Sequence, residues 1–212
     1  MMAVGHTQAM GSMTDISPRR FTNDLPPVAA FRHRTAREGF EVVFVEARDD
    51  GFRIEGHTTA VEAGASWAIR YSIVVERDFR TRRATVNGLS RTGIREVMLE
   101  ASRPGAWLVN GAPMPHLDGC LDVDLESSAF TNAFPVRRLG LDVGQEAEAP
   151  AAYVRALDLR VERLEQRYRR IGDAGQHQRY AYVAPAFDFA CDLVYDDHGV
   201  VLDYPGIAVR VK

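Results

Sequence analysis

Cys120, Asp122, Asp124 and Glu126, four side chains able to do chemistry, recur at every second position of one short run. A strand there sets all of them on one face and Leu121, Val123 and Leu125 on the other. Three carboxylates crowded on one face repel one another and call for cations, water or a metal beside them. A single metal ion is a poor fit, because same-face strand residues stand ~7 Å apart, wide for three ligands on one ion. The expectation is an ion-pair belt in which Asp122, Asp124 and Glu126 meet Arg80, Arg82, Arg137 or Arg138.

A nucleophile would need a base and an orienting acid. Cys120 has His116, Asp118 and Asp122 near it in sequence, but triads assemble from distant segments and no GxSxG elbow occurs. Cys120 is expected to be a buried strand residue, with an enzyme of unknown reaction using Cys120, Asp122, Asp124 and the arginines as the alternative. The 6 histidines show no HExxH spacing, and GxxxxGK[ST] and GxGxxG are absent. No catalytic residue, metal ligand or cofactor is assigned. The 2 cysteines are too few for a disulfide framework or a cysteine-rich metal site.

With 212 residues and a net charge of -3, the chain has no overall basic footprint, so nucleic acid is not an expected partner. The first residues lack a basic segment followed by an apolar core, and no apolar run approaches the ~20 residues that span a bilayer. A cytoplasmic protein is expected, with residues 1–20 a disordered leader and 21–212 a single β domain. Oligomeric state is not legible.

Turn chemistry points to antiparallel sheet. Asp50-Gly51, Asn87-Gly88 and Asn110-Gly111 are dipeptides that tight hairpins favour, and Tyr204-Pro205-Gly206 suits a type II turn. Two strands carry apolar faces: Trp67, Ile69, Tyr71, Ile73 and Val75, and Phe187, Phe189, Cys191, Leu193 and Tyr195. Helices are scarce: Ala29 to Arg37 could form two turns, and Ser127 to Phe134 one turn behind a serine cap. Ala151 to Ile171 reads either way, with helical spacing at Val154, Leu157, Val161, Leu164, Tyr168 and Ile171 and strand alternation at Leu157, Leu159 and Val161.

Several of these segments together resemble the putative glycolipid-binding family of bacterial proteins, whose pattern reads roughly GC-x-DVDL, TPFTN and P-[IV]-RRL. Gly119-Cys120, Asp122 to Leu125, Phe130-Thr131-Asn132 and Pro135 to Leu139 match it. Trp67 to Tyr71, Arg80 to Arg82, Trp107, Gln166 with Tyr168, and Asp203 to Gly206 follow in the family's order, so the likeness covers most of residues 38 to 210. Ser128-Ala129 stands where the family tends to have Thr-Pro, and Ile207-Ala208 where Leu-Phe is usual. The resemblance implies the fold of lipid and lipoprotein carriers, and strands through residues 151–171. A long sheet with little helix to cover it must curl on itself. The expected fold is therefore all-β, a long antiparallel curled sheet (β-roll or incomplete barrel) enclosing a cavity.

A non-catalytic protein binding a lipid-like or glycolipid-like amphiphile is the function this implies, with a structural module of filled core as a further alternative. Trp67, Ile69, Tyr71, Ile73, Phe187 and Phe189 are expected to line the cavity. Arg80, Arg82, Arg137 and Arg138, with Asp122 and Asp124, are expected at its mouth for a polar head. Trp107, Tyr168 and Tyr204 join the ligand-binding set from the matching motifs. Phe130 and Asn132 join it too, although a turn-fixing role suits Phe130-Thr131-Asn132 as well.

Overall fold

A computed structural model describes residues 20–102 and 105–212; the expected leader, residues 1–20, lies outside the described residues except for Arg20. Strands β1 (Val28–His33), β2 (Glu38–Arg48), β3 (Gly51–Glu62), β4 (Ala65–Glu76), β5 (Thr81–Ser90), β6 (Gly93–Ala101), β7 (Trp107–Val109) and β8 (Ala112–Pro113) come first. β9 (Asp122–Leu125) and a helix, α1 (Ala133–Leu139), follow. The rest is β10 (Glu146–Glu148), β11 (Ala151–Val154), β12 (Val161–Leu164), β13 (Arg167–Ala174), β14 (His177–Ala184), β15 (Phe189–Tyr195), β16 (Val201–Tyr204) and β17 (Ala208–Arg210).

Fourteen strands form one antiparallel sheet in the order β10-β13-β14-β15-β16-β17-β1-β2-β3-β4-β5-β6-β7-β8. The pairing of β17 with β1 joins the two arms, and the end strands β10 and β8 do not meet, so the barrel stays open. A second sheet, β12-β11-β9, contains the parallel pair β11–β9, with Asp122 opposite Ala151 and Asp124 opposite Tyr153. Residues 151–171 thus hold β11, β12 and the start of β13 with turns between them and no helix, as the resemblance implies.

Local expectations fared unevenly. The β2–β3 reversal falls one residue before the expected Asp50-Gly51, at Asp49-Asp50, with Gly51 already in β3 opposite Arg48, whereas Asn110-Gly111 turns β7 into β8 with φ of 49° and 78°, the left-handed pair that a type I′ turn needs. Asn87-Gly88 makes no turn: both residues lie inside β5, and the chain reverses at Arg91 and Thr92. Gly88 is a packing glycine, since a Cβ there would stand 3.2 Å from Ile69 Cδ1 and 3.3 Å from Leu159 Cδ2. Ala29 to Arg37 is not helical. Its first part is β1, held between β2 and β17, and tertiary pairing overrides the alanines' helix propensity. The helix expected over Ser127 to Phe134 is displaced. A 3-10 turn at Phe130–Asn132, whose first N–H donates to Ser128 Oγ (3.2 Å), runs into α1, and Gly140 closes it at φ 55°.

The segment 120–134 plugs the trough of the curled sheet. Trp107 Nε1 donates to the Cys120 carbonyl (2.9 Å), Val123 N–H donates to Thr81 Oγ1 (3.0 Å), and Thr58 Oγ1 donates to the Ser127 carbonyl (2.9 Å). From the other arm Tyr168 Oη donates to Asn132 Oδ1 (2.9 Å) and Tyr195 Oη to the Asn132 carbonyl (3.4 Å). Irregular backbone can be buried only if its polar groups find partners, and these side chains supply them from β7, β5, β3, β13 and β15.

Beneath the plug lies Glu41, fully buried, whose carboxyl accepts from Tyr71 Oη (2.6 Å), Ser128 Oγ (2.5 Å) and Ala129 N–H (2.9 Å). Burial raises its pKa to about 7, against the pull of those donors. The β4 stripe from Trp67 to Val75 faces inward and is buried. In the other stripe Leu193 and Tyr195 are buried and Phe189 and Cys191 half-buried, while Phe187 leaves the strand for a 3-10 turn and is 45% exposed. The two stripes do not face each other across an empty trough. The plug fills its middle, and cavities remain at its margins.

Candidate functional site

One such margin, between the plug and the β14–β16 arm, is a half-open pocket of about 260 Å³. Its polar wall comes from the plug: Asp124 and Leu125 of β9, then Glu126, Ser128 and Asn132. Its aromatic wall comes from Tyr182 on β14, Phe187, Phe189 on β15 and Tyr204 on β16, with Tyr153 on β11. Arg37 and Arg155, with the aliphatic Leu164, Ala184 and Ile207, complete the lining.

Alternation puts Tyr180 and Tyr182 of β14 on the trough side, and Tyr182 meets Tyr204 edge-on with ring centres 6.0 Å apart. Phe189 packs 6.0 Å from Tyr204, and Phe187 lies 5.5 Å from Tyr153. Tyr182 Oη is anchored on Gln166 Oε1 at 2.9 Å. The guanidinium of Arg155 stands 5.8 Å from the Phe187 ring and 5.9 Å from Tyr153, and its Nε is 3.8 Å from Glu126 Oε2. Arg37, nearly buried, donates to the Glu126 carbonyl (2.9 Å) and stacks over the Trp67 ring at 5.3 Å.

Two carboxyls stand at the pocket wall, Glu126, which Arg155 and the Ala156 N–H serve, and Asp124. Burial raises the Asp124 pKa to about 6; Thr131, donating at 2.8 Å, opposes the rise, and the neighbouring Asp122 and Glu126 add to it. Among the described residues no cation pairs with Asp124. The pocket therefore combines a carboxyl that burial raises to about 6 with an amide, two guanidinium groups and several aromatic faces.

The carboxylate belt resolves into separate contacts. Arg138 Nε and Nη2 donate to Asp122 Oδ1 and Oδ2 at 3.2 and 2.5 Å, a buried fork beneath α1. Burial still leaves the Asp122 pKa above the usual carboxylate range despite that guanidinium. Arg137 turns away, stacking 4.2 Å over the Phe79 ring and donating to the carbonyls of Thr22, Asn23 and His198. Arg80 pairs with Asp78 and Glu76, and Arg82 with Asp50 (2.7 Å), all on the exposed surface of the other arm. Ile69, Tyr71, Ile73, Trp107 and Phe130 belong to the filled core, and Tyr168 underpins Asn132.

Of the residues expected to bind ligand, Asp124, Asn132, Phe187, Phe189 and Tyr204 line this pocket. Arg37, Arg155, Tyr153 and Tyr182 were not foreseen. Tyr182 had a signal, the alternating tyrosines of QRYAYVA, whereas Arg37 and Arg155 sit in turns where sequence gives none.

Cys120 lies outside this pocket and lines a separate cavity of about 750 Å³ with Arg80 and Arg82; burial pushes its thiol up to about 11, so the thiolate is scarce at neutral pH. Among the described residues no group of three or more His, Cys, Asp or Glu is placed to hold a metal ion, and no helix is long and apolar enough to cross a membrane.

No curated protein matches the chain. Among solved structures it is similar to the crystal structure of a DUF1089 family protein from Pseudomonas aeruginosa, at 34% identity and a TM-score of 0.69, over 81% of this chain and 92% of that one. A β-barrel-like protein of the domain of unknown function DUF1849 from Brucella abortus aligns at 9% identity and a TM-score of 0.47, over 87% of this chain and 92% of that one. A family model described as "Putative glycolipid-binding" matches residues 30–210, nearly the whole of the two-sheet fold, and the chain belongs to that family.

Proposed function

We propose that the protein binds, without chemical conversion, the sugar head of a glycolipid-like amphiphile in the Asp124 pocket. The observation that carries this is the pairing of the polar plug wall, Asp124 and Asn132, with the aromatic wall of Phe187, Phe189, Tyr182 and Tyr204. A sugar offers hydroxyls to the first and C–H faces to the second, and small-ligand sites commonly join a few convergent polar groups to an apolar wall. The family description supports the same class of ligand. The enzyme alternative loses ground because its Cys120 is a buried thiol outside the pocket and its Asp122 is held by Arg138.

Calorimetric titration with methyl glycosides tests the reading. Phe187→Ala is expected to weaken binding roughly tenfold, at the upper end of what one aromatic contact contributes, while the melting temperature stays put because the side chain is 45% exposed. Unchanged affinity would remove the aromatic wall from the site.

The pH profile follows from Asp124. Below about 6 its carboxyl is neutral in the free protein, and above it the carboxylate accepts from sugar hydroxyls more strongly than a neutral acid can. Binding then favours the deprotonated form, so affinity for a neutral glycoside should rise several-fold from pH 5 to pH 7 and level off, and Asp124→Asn should flatten the curve. Tighter binding at pH 5 than at pH 7 would contradict this, since protonated Asp124 would then be the donor.

A further inference from the structure

A pocket of about 260 Å³ can hold a head group and no more, since sites for drug-sized ligands run from ~300 to 1,000 Å³. The chain of an amphiphile needs another place. A second cavity, of about 930 Å³, opens between the tips of the β3–β4 and β5–β6 hairpins, lined by Trp67, Ala65, Ala68, Leu89 and Leu157 with Arg91 and Arg95. Leu89 and Leu157 are 55% and 46% exposed there, two aliphatic side chains facing water beside a nearly buried indole. The Trp67 Nε1 is buried and has no hydrogen-bond partner among the described residues.

Two structural bridges join this cleft to the Asp124 pocket. Arg37 lines the pocket and its guanidinium lies on the ring of Trp67, which lines the cleft. The turn after β11 does the same, with Arg155 on the pocket side and Leu157 on the cleft side. A ligand passing over the Arg37–Trp67 stack would leave its head among the polar groups and its tail on the leucines.

We infer that the hairpin-tip cleft takes the alkyl chain of the same amphiphile whose head occupies the Asp124 pocket, an assignment that rests on the head-group reading above. The arrangement is bipartite: the polar pocket selects the head, and the cleft adds affinity with chain length. The occupant is a single amphiphile, because the residues shared between the two cavities, the Arg37–Trp67 stack and the turn carrying Arg155 and Leu157, are what would link its head to its chain.

The test uses methyl, butyl, hexyl and octyl glucosides, below their micelle-forming concentrations, titrated into the whole protein by calorimetry and by tryptophan emission. Affinity is expected to rise about two- to fourfold per added methylene from butyl to octyl, the upper figure being full burial of each group. The Trp67 emission should shift with octyl and not with methyl glucoside. In the double variant Leu89→Asp, Leu157→Asp, both sites being half-exposed and outside the core, methyl glucoside should bind as in the parent while the gain with chain length disappears. Equal affinity for methyl and octyl glucoside in the parent, or a gain that survives in the variant, overturns the tail assignment and leaves the head reading intact. A protein that ignores methyl glucoside yet binds octyl glucoside through Leu89 and Leu157 keeps the cleft and loses the head assignment. Binding of none of the four overturns both.

Discussion

Arg138→Met is expected to lower stability by about 3–5 kcal/mol, the usual loss when one partner of a buried ion pair is removed. Asp122 is 1% exposed, and its two oxygens meet the Arg138 fork at 3.2 and 2.5 Å. Without the arginine the carboxylate has no cation in reach among the described residues and must take up a proton to stay buried. The sign with pH follows. Burial already holds the Asp122 pKa above its unfolded value, and losing Arg138 raises it further, so the folded state binds more protons than the unfolded one once pH exceeds the unfolded value. The deficit of the variant should therefore grow as pH rises from 5 to 8. The paired change Asp122→Leu, Arg138→Met removes both charges and should recover much of the loss, because buried pairs replaced by apolar groups are often neutral. Chemical denaturation at the two pH values decides it, and a single variant that unfolds like the parent would mean the pair is solvated.

Much of the architecture was written in local pattern, and what was missed depends on distance in the chain. The β4 stripe and the DFACDLVY stripe follow from alternation alone, and the β7–β8 turn at Asn110-Gly111 from turn chemistry. Asn87-Gly88 has the same chemistry and is no turn, because both residues are paired on each side, with Arg70 and Ile69 of β4 and with Glu96 and Arg95 of β6. The run Asp122 to Leu125 alternates as expected, yet both of its faces are buried, since β9 pairs with β11 inside the trough instead of joining the large sheet. That is why the carboxylates part company. Arg138 comes back on α1 to reach Asp122, Thr131 serves Asp124, and Arg155 and the Ala156 N–H serve Glu126. Arg80 and Arg82, close to them in the expected belt, are held by Asp78, Glu76 and Asp50 at an exposed corner. No periodicity announces which of many arginines will meet which carboxylate, because those pairings are set by how the plug crosses the sheet.

Gly56→Ala should be among the most damaging small changes in the protein, about 3 kcal/mol or more, at or beyond the upper end of overpacking losses. Gly56 sits mid-strand on β3, opposite Tyr71 of β4, and the tyrosine ring lies across it. A Cβ there would stand 1.9 Å from Tyr71 Cζ and 2.4 Å from Cε1. Such a contact is cheap when a side-chain tip can swing aside, but this tip is pinned. Tyr71 is fully buried, its Oη donates to Glu41 Oε1 at 2.6 Å and lies 3.1 Å from Ser128 Oγ, so moving it strips a donor from a buried carboxyl and loosens the plug above. The glycine is therefore required by a close approach, although nothing in its backbone demands it. Tyr71→Leu tests the cause: it removes the ring tip and has its own cost, but in that background Gly56→Ala should cost much less than in the parent, a coupling that denaturant unfolding of the four variants measures directly. Additive losses would show that the ring and the glycine are independent.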